Sequence, residues 1–243
     1  MAKCRINGWR WFLRALNAIG VKELLSYNVL FSGLDERALS RVAQGTRLVE
    51  VHKGQNIFHQ GDACDGLHVI AYGQIKLSFV SAHGAEKVVE VVNQGDCFGE
   101  ASLFSESNYN VCAQALSESL LVHVTKSSII EQLDQSALLC QKMLARLAGR
   151  KYQLLCDIEM FSLLSGKQRI AAFLLNEITL PDEDRVSVKV CLPAAKGVIA
   201  SRLNLTQEHF SRILGDLVGQ GLITLEGKLV TIINVGKLRH CLN

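Results

Sequence analysis

The chain has 243 residues, 49% of them hydrophobic, and a formal net charge of +3 at pH 7. This length suits two domains of ordinary size, and charges interrupt every apolar run before the roughly 18 residues that span a bilayer, which excludes a transmembrane helix. The positive excess lies after residue 163, where 10 Lys and Arg oppose 7 Asp and Glu. Such an uneven charge favours a C-terminal domain that binds nucleic acid.

Residues 1–23 are predicted to form an N-terminal extension. They contain Trp9 and Trp11, but Arg10 and Arg14 break the apolar run and no small-residue cleavage site follows, so a secretory signal is not predicted. The eight cysteines of the chain are scattered, with no close pair. This pattern predicts reduced thiols in a cytoplasmic protein.

Residues 24–125 are predicted to form a β-roll sensor domain. A helix is predicted at residues 35–44, with Asp35 as its N-cap. Short β-rich stretches follow, and turn signals every roughly 8–12 residues are typical of a jelly roll. The predicted strands cover residues 48–51, 57–58, 67–70, 75–80 and 88–92, separated by Gly54, Gly61, Gly73 and Gly84.

Residues 126–164 are predicted to form a long dimerisation helix with a break near Gln135, because this stretch has no Pro and one Gly. Six residues recur at alternating intervals of three and four, which is the seam of a coiled coil and is narrower than a face that covers a globular core. We therefore predict a parallel homodimer; the alternative is a helix packed on its own β-roll. The predicted seam consists of Leu144, Leu147, Lys151, Leu154, Ile158 and Phe161.

Residues 165–243 are predicted to form a winged helix-turn-helix domain. Asn204 supplies the tight turn between its two central helices, and Thr206 is the N-cap of the second. The chain is thus predicted to be an α+β protein, with a β-roll, a long helix and a winged helix in that order. The predicted C-terminal elements are helices at 167–178, 194–203 and 207–219, strands around 186–190, and a hairpin over 222–233 with the turn Glu226-Gly227-Lys228.

The second helix of this motif carries candidate base-reading residues. Glu208, Ser211 and Arg212 stand at positions i, i+3 and i+4, so they project from one face near the N-terminal half of the helix. Arg can donate two hydrogen bonds to guanine, Glu can accept from cytosine, and Ser can serve either bases or phosphate. The alternative is a Glu–Arg ion pair on a solvated helix. The further expected DNA-binding residues are Arg202, Thr206, Gln207 and Lys228.

Several segments together resemble the Crp/Fnr superfamily of cyclic-AMP-receptor-like regulators, from about Leu24 onward. They are the spacing of Gly54, Gly61 and Gly73, the segment Gly-Asp-Cys-Phe-Gly-Glu at 95–100, and Lys-Gln-Arg-Ile-Ala at 167–171. The segment 206–212 is similar to the recognition helix of the fumarate-nitrate regulator type. That resemblance implies a non-enzymatic homodimer that binds double-stranded DNA at TTGAT-like inverted repeats and has RNA polymerase as a partner. It assigns Glu208, Ser211 and Arg212 as base readers.

The effector region departs from the cyclic-AMP-binding members of the superfamily. Asn110 and Val111 stand where those members have an Arg-Ser pair for the phosphate, and a phosphate needs such a charged partner. Leu154 and Leu155 stand where they offer Thr and Ser to the base, and Glu100 is retained. We therefore predict an effector pocket formed by these five residues that does not bind cyclic AMP.

The oxygen-sensing branch of the superfamily holds an iron-sulfur cluster on several N-terminal cysteines and one central cysteine. Here only Cys4 lies near the start, and Val122 occupies about the central position, so no such cluster is expected. The overall likeness is greatest to the dissimilatory nitrate respiration regulators, which implies haem b and a response to nitric oxide. The metal ligands are not determined by the sequence; the candidates are His52, His59, His68, His83 and His123.

We considered two alternatives to a haem sensor from the residues. A thiol-based redox switch would use Cys64, Cys97 and Cys112. A cupin-like β-roll enzyme would belong to a different class, but it needs a His-x-His metal set with an acidic partner, which the sequence does not contain. No catalytic residues are predicted.

Overall fold

The computed structural model of the chain describes residues 20–178 and 187–242. The chain divides into two compact units, Met1–Arg150 and Lys151–Asn243, and the division falls within the long helix. The α+β class with a β-roll followed by a winged helix, as predicted, is confirmed. Residues 1–19 of the expected N-terminal extension lie outside the described residues, and its expected end at residue 23 lies within a helix.

Eight strands of the first unit form the β-roll. They build two four-stranded antiparallel sheets with the strand orders β1-β8-β3-β6 and β2-β7-β4-β5. All five predicted strands are present, and the last three, β6 to β8, are additions. The strands are β1 Thr46–Val51, β2 Asn56–Phe58, β3 Gly66–Tyr72, β4 Gln74–Val80, β5 Glu86–Asn93, β6 Cys97–Phe98, β7 Cys112–Ala115 and β8 Ser119–Thr125.

Two apolar cores lie on opposite faces of the first sheet. The inner core fills the space between the sheets, where Ile70 and Leu121 meet side chains such as Ile75 from the second sheet. The outer core joins alternate residues such as Val122 to the surrounding helices. Strand β8 is consequently buried on both faces. The helices of this unit are α1 Val21–Ser26, α2 Glu36–Gln44, α3 Glu100–Phe104, α4 Lys126–Leu133 and the first part of α5, Ala137–Leu163.

Local signals in the sequence set several of these boundaries. Asp35 caps α2 as predicted, its carboxylate accepting a hydrogen bond from the Ala38 N–H at 2.7 Å. Gly73 joins β3 to β4 with a φ of 100°, and a Cβ at this position would meet the Ser119 hydroxyl, so only glycine fits the turn. The predicted break near Gln135 separates α4 from α5.

The second unit contains the end of α5 and the winged helix-turn-helix. The three predicted helices and the wing hairpin are present, and the strand expected around 186–190 is β9, whose neighbour at residue 186 lies outside the described residues. The three strands form an antiparallel sheet of order β10-β11-β9. The elements are α6 Gly166–Asn176, β9 Val188–Cys191, α7 Lys196–Arg202, α8 Gln207–Gly219, β10 Ile223–Glu226, β11 Leu229–Ile232 and α9 Val235–His240.

Candidate DNA-binding interface and sensor region

The turn between α7 and α8 has the local features that the sequence predicts. Asn204 adopts a left-handed conformation with a φ of 58°, which a short polar side chain tolerates better than most. Thr206 caps α8, its hydroxyl accepting a hydrogen bond from the His209 N–H at 3.2 Å. Phe210 and Leu214 on the opposite side of α8 are buried. The helix is therefore held by its apolar face, with the other face outward.

Glu208, Ser211 and Arg212 lie on this outward face, and all three are exposed. Within residues 20–178 and 187–242, no salt bridge joins Glu208 to Arg212. The structure thus does not favour the alternative of an internal helix ion pair. Their hydrogen-bonding groups are available to the edges of bases in a DNA groove.

The other residues that are expected to contact DNA differ in their exposure and in their partners. Lys228 is exposed in the turn of the wing, and Gln207 is exposed with its amide oxygen against Gly197. Arg202 instead donates two hydrogen bonds, of 2.8 and 3.0 Å, to the carboxylate of Asp157 near the end of α5. In this conformation Arg202 therefore forms an internal ion pair, and its expected phosphate contact stays a prediction.

The expected dimer seam is largely uncovered in the single chain. Leu144, Leu154 and Ile158 are 67%, 51% and 61% exposed, whereas the apolar side chains of the two cores are buried. Leu147 packs partly against the outer core of the first unit, and Phe161 is half-buried with the Arg169 guanidinium 5.7 Å from its ring centre. Contacts within the first unit therefore account for Leu147, whereas Leu144, Leu154 and Ile158 are each more than half exposed.

Glu100, the retained residue of the expected effector pocket, is engaged within the first unit. It is buried at the start of α3, and its carboxylate accepts a hydrogen bond from Arg146 Nε of α5 at 3.0 Å. Arg146 also pairs with Asp96 and donates to the Cys97 carbonyl. Burial raises the pKa of Glu100, although Arg146 opposes this effect. In this conformation Glu100 joins the β-roll to the long helix.

Tyr109, which belongs to no predicted site, fills the roll beside Asn110. Its ring is buried and stacks on Phe58, with centroids 3.6 Å apart, and its hydroxyl donates to the Gly66 carbonyl at 3.0 Å. Asn110 is exposed and Val111 packs against the inner core. The loop that holds the phosphate in cyclic-AMP binders therefore contributes an aromatic ring to the core and no cation from residues 109–111.

The remaining predicted effector residues, Leu154 and Leu155, belong to the part of α5 in the second unit, where they are 51% and 55% exposed. A cavity of about 220 Å³ occurs elsewhere, between α1 and β3 in the first unit. Its lining contains none of the predicted effector residues. It is formed by Leu24, Tyr27, Asn28, Val69, Ile70, Ala71, Gln94 and Gly95.

Two of the five candidate histidines are buried side by side in the roll. His68 on β3 pairs in register with His123 on β8, and their ring centroids are 4.8 Å apart. The His123 Nε2 lies 3.0 Å from an Asp65 carboxylate oxygen, and the His68 ring stacks on Phe98. Burial lowers the pKa of His68 to about 3. The other three candidates, His52, His59 and His83, are exposed.

His68 predicts a pH dependence of stability that a variant can isolate. Because its pKa falls from 6.5 in the unfolded chain to about 3 when folded, it contributes stability above pH 6.5 that is lost as the pH decreases. Between pH 7 and pH 5, wild type should lose about 2 kcal/mol more unfolding free energy than H68F. Urea unfolding measures this difference, with H83N as a control for loss of an exposed histidine. Equal pH dependence of wild type and H68F would contradict the assignment.

The structure does not favour Cys97 as the reactive thiol of a redox switch. All seven cysteines in the described residues are free. Cys97 is 1% exposed, and burial raises its thiol pKa, which opposes formation of the reactive thiolate. Cys64 and Cys112 are half-buried and contact backbone groups at Gly66 and Gln60.

Within the described residues, no group of three or more His, Cys, Asp or Glu side chains could hold a metal ion. In the same part of the chain, no helix is sufficiently long and apolar to cross a membrane.

Comparison with known proteins defines the class of the chain. The family model of the cyclic nucleotide-binding domain matches residues 48–136, and that of the Crp-like helix-turn-helix domain matches residues 168–241. The chain is 30% identical over 188 residues to electron transport regulator A of Shewanella oneidensis, covering 76% of this chain and 74% of that protein. It is also 30% identical over 192 residues to the fumarate and nitrate reduction regulatory protein of Vibrio cholerae, covering 77% and 75%.

Solved structures show the same fold. FixK2 from Bradyrhizobium japonicum superposes with a TM-score of 0.69 at 21% identity, covering 81% of this chain and 96% of that one. A CRP/FNR family transcriptional regulator from Thermus thermophilus gives 0.62 at 20% identity, covering 81% and 98%. The domains and relatives together define a DNA-binding transcription regulator and not an enzyme. The chain belongs to the Crp/Fnr family, as its sequence motifs predict.

Proposed function

We propose that this regulator is a homodimer that reads TTGAT-like inverted repeats through Glu208, Ser211 and Arg212. The joint exposure of these three side chains on the capped helix α8 is the observation that carries the proposal. The uncovered apolar row on α5 supports a parallel dimer, which places one reading helix on each half-site. RNA polymerase is the partner through which such a regulator acts on transcription.

Selection of bound duplexes from a random DNA pool tests this reading without assuming a site. We expect enrichment of two TTGAT-like half-sites in inverted orientation, with centres about one helical turn apart, because the dimer has twofold symmetry. Enrichment of an unrelated sequence, or of one isolated half-site, would overturn the proposal.

The sensor is proposed not to respond to cyclic AMP. Tyr109 fills the roll beside the phosphate-binding loop, Asn110 offers no charge there, and Glu100 is paired with Arg146. A bound phosphodiester would therefore lack the cation that normally compensates for its loss of water. Titration calorimetry with cyclic AMP should give a dissociation constant of about 1 mM or weaker, which corresponds to about −4 kcal/mol. Micromolar binding would contradict this prediction.

The likeness to nitrate respiration regulators raises haem b as a cofactor, with nitric oxide as the signal. The described part of the first unit does not fit this group in its present conformation. The His68 ring is stacked on Phe98, with His123 against its edge, so these imidazoles face side chains and not an open apolar cleft. The other candidates lie at the surface, where His52 pairs with Glu118. We therefore propose no step that depends on haem.

A further inference from the structure

Arg169, in the first turns of α6, joins two helix ends of the second unit. Its guanidinium donates to the carbonyls of Phe161 and Leu164 at the end of α5, both at 3.0 Å. The same group donates to the carbonyls of Leu203 and Asn204 after α7, both at 3.3 Å. Carbonyls at helix ends lack partners within their own helix, and the planar fork of Arg can satisfy several at once. One side chain thus holds the end of the long helix against the turn that precedes α8.

A second arginine makes an independent link between the same two parts. Arg202 is the last residue of α7, and its pair with Asp157 is largely shielded, with side-chain exposures of 21% and 9%. The Gln153 amide also donates to Asp157 at 3.2 Å. Shielded, hydrogen-bonded charge pairs have a defined geometry, unlike most surface ion pairs. The link lies one turn before Phe161 on α5, so the two arginines contact the long helix at different heights.

We infer that Arg169 and Arg202 are positioning residues that fix the reading helix relative to the dimer seam. Leu154 and Ile158 of the proposed seam flank Asp157 on α5, so a rigid link at Asp157 and Phe161 transmits the seam geometry to α8. Two contacts at separate points on α5 oppose rotation of the helix-turn-helix motif about either contact. The arginines would then set the half-site separation that the dimer accepts. This inference rests on the proposed dimeric reading of inverted repeats.

Binding to duplexes with different spacers tests the inference. Wild type, R169K, R202K and the double variant are titrated with TTGAT inverted repeats separated by three, four or five base pairs, and with one half-site alone. The lysine variants keep the positive charge but lose the planar guanidinium that donates several hydrogen bonds at once. We expect the preference for the best spacer to fall about tenfold in the double variant, while half-site binding stays within about twofold. K228A is the control, because loss of a wing phosphate contact should weaken all duplexes alike.

The outcomes separate a positioning role from a purely structural one. Equal weakening on every duplex, with the spacer preference retained, would overturn the inference and leave the arginines as stabilising residues only. If the double variant melts below the assay temperature, the single variants give the same comparison. A wild-type protein that shows no spacer preference would instead overturn the proposed dimeric reading, because the preference arises from two linked DNA-binding domains.

Discussion

The double substitution L154E/I158E is expected to convert the regulator to a monomer and to abolish its specific DNA binding. Both residues are more than half exposed in the single chain, and in the proposed dimer they meet the same residues of the second copy. Only about half of the surface of each of the four side chains remains to be buried on association, which is worth about 0.8–1.8 kcal/mol per residue, and four carboxylates that repel one another would replace them. A loss of at least about 3 kcal/mol, or about 10²-fold in the dimer dissociation constant, follows.

Sedimentation equilibrium at micromolar concentration measures this change. The matched control is Y152E, because Tyr152 is 70% exposed on the same helix but lies outside the three-four seam. We expect Y152E to remain a dimer. A dimeric L154E/I158E protein would show that the seam does not mediate association, and a monomeric Y152E protein would place the interface on another face of α5.

Removal of the base-reading side chains is expected to destroy sequence discrimination while leaving non-specific binding. Glu208 and Arg212 are exposed on the outward face of α8, near its capped N-terminus. One good base contact contributes about 1–3 kcal/mol of discrimination, and each residue is used in both half-sites, so E208A or R212A should lose about 2–6 kcal/mol. Competition between TTGAT repeats and random DNA measures this ratio directly.

K228A provides the contrasting result for a backbone contact. Loss of the exposed wing lysine should weaken specific and random DNA alike and reduce the slope of log affinity against log salt by about 1 per protomer. If E208A and R212A weakened both kinds of DNA to the same extent, these residues would be phosphate contacts and the assignment of base readers would be wrong.

The helix-turn-helix could be predicted from the sequence because its signals are local. Asn204 in the turn, Thr206 as the cap and the apolar spacing of α8 lie within a short segment, and the observed bounds of α8 match the predicted 207–219. The same holds for Asp35 at the start of α2. Caps, turns and helical periodicity act over a few residues, so they need no knowledge of the tertiary fold.

The missed features depend on contacts between distant parts of the chain. Strand β8 shows no alternation because both of its faces are covered, and β6 has only two residues. Arg202 has the composition of a phosphate contact, but its partner Asp157 lies 45 residues away. Tyr109 carries no sequence signal that its ring turns into the roll. In each case the side chain's partner is decided by packing, which residue spacing does not encode.

A fluorescence anisotropy titration of the full chain with three duplexes, at several salt concentrations, tests directly whether the regulator reads inverted repeats as a dimer. They carry the inverted repeat TTGAT-N4-ATCAA, the same duplex with one half-site scrambled, and a fully scrambled sequence. We expect the intact repeat to bind at least about 10³-fold more tightly than the scrambled duplex, with a large loss of affinity when one half-site is removed and a salt-dependent affinity for all three duplexes. Equal affinity for the three duplexes would contradict the proposed dimeric reading of TTGAT-like repeats.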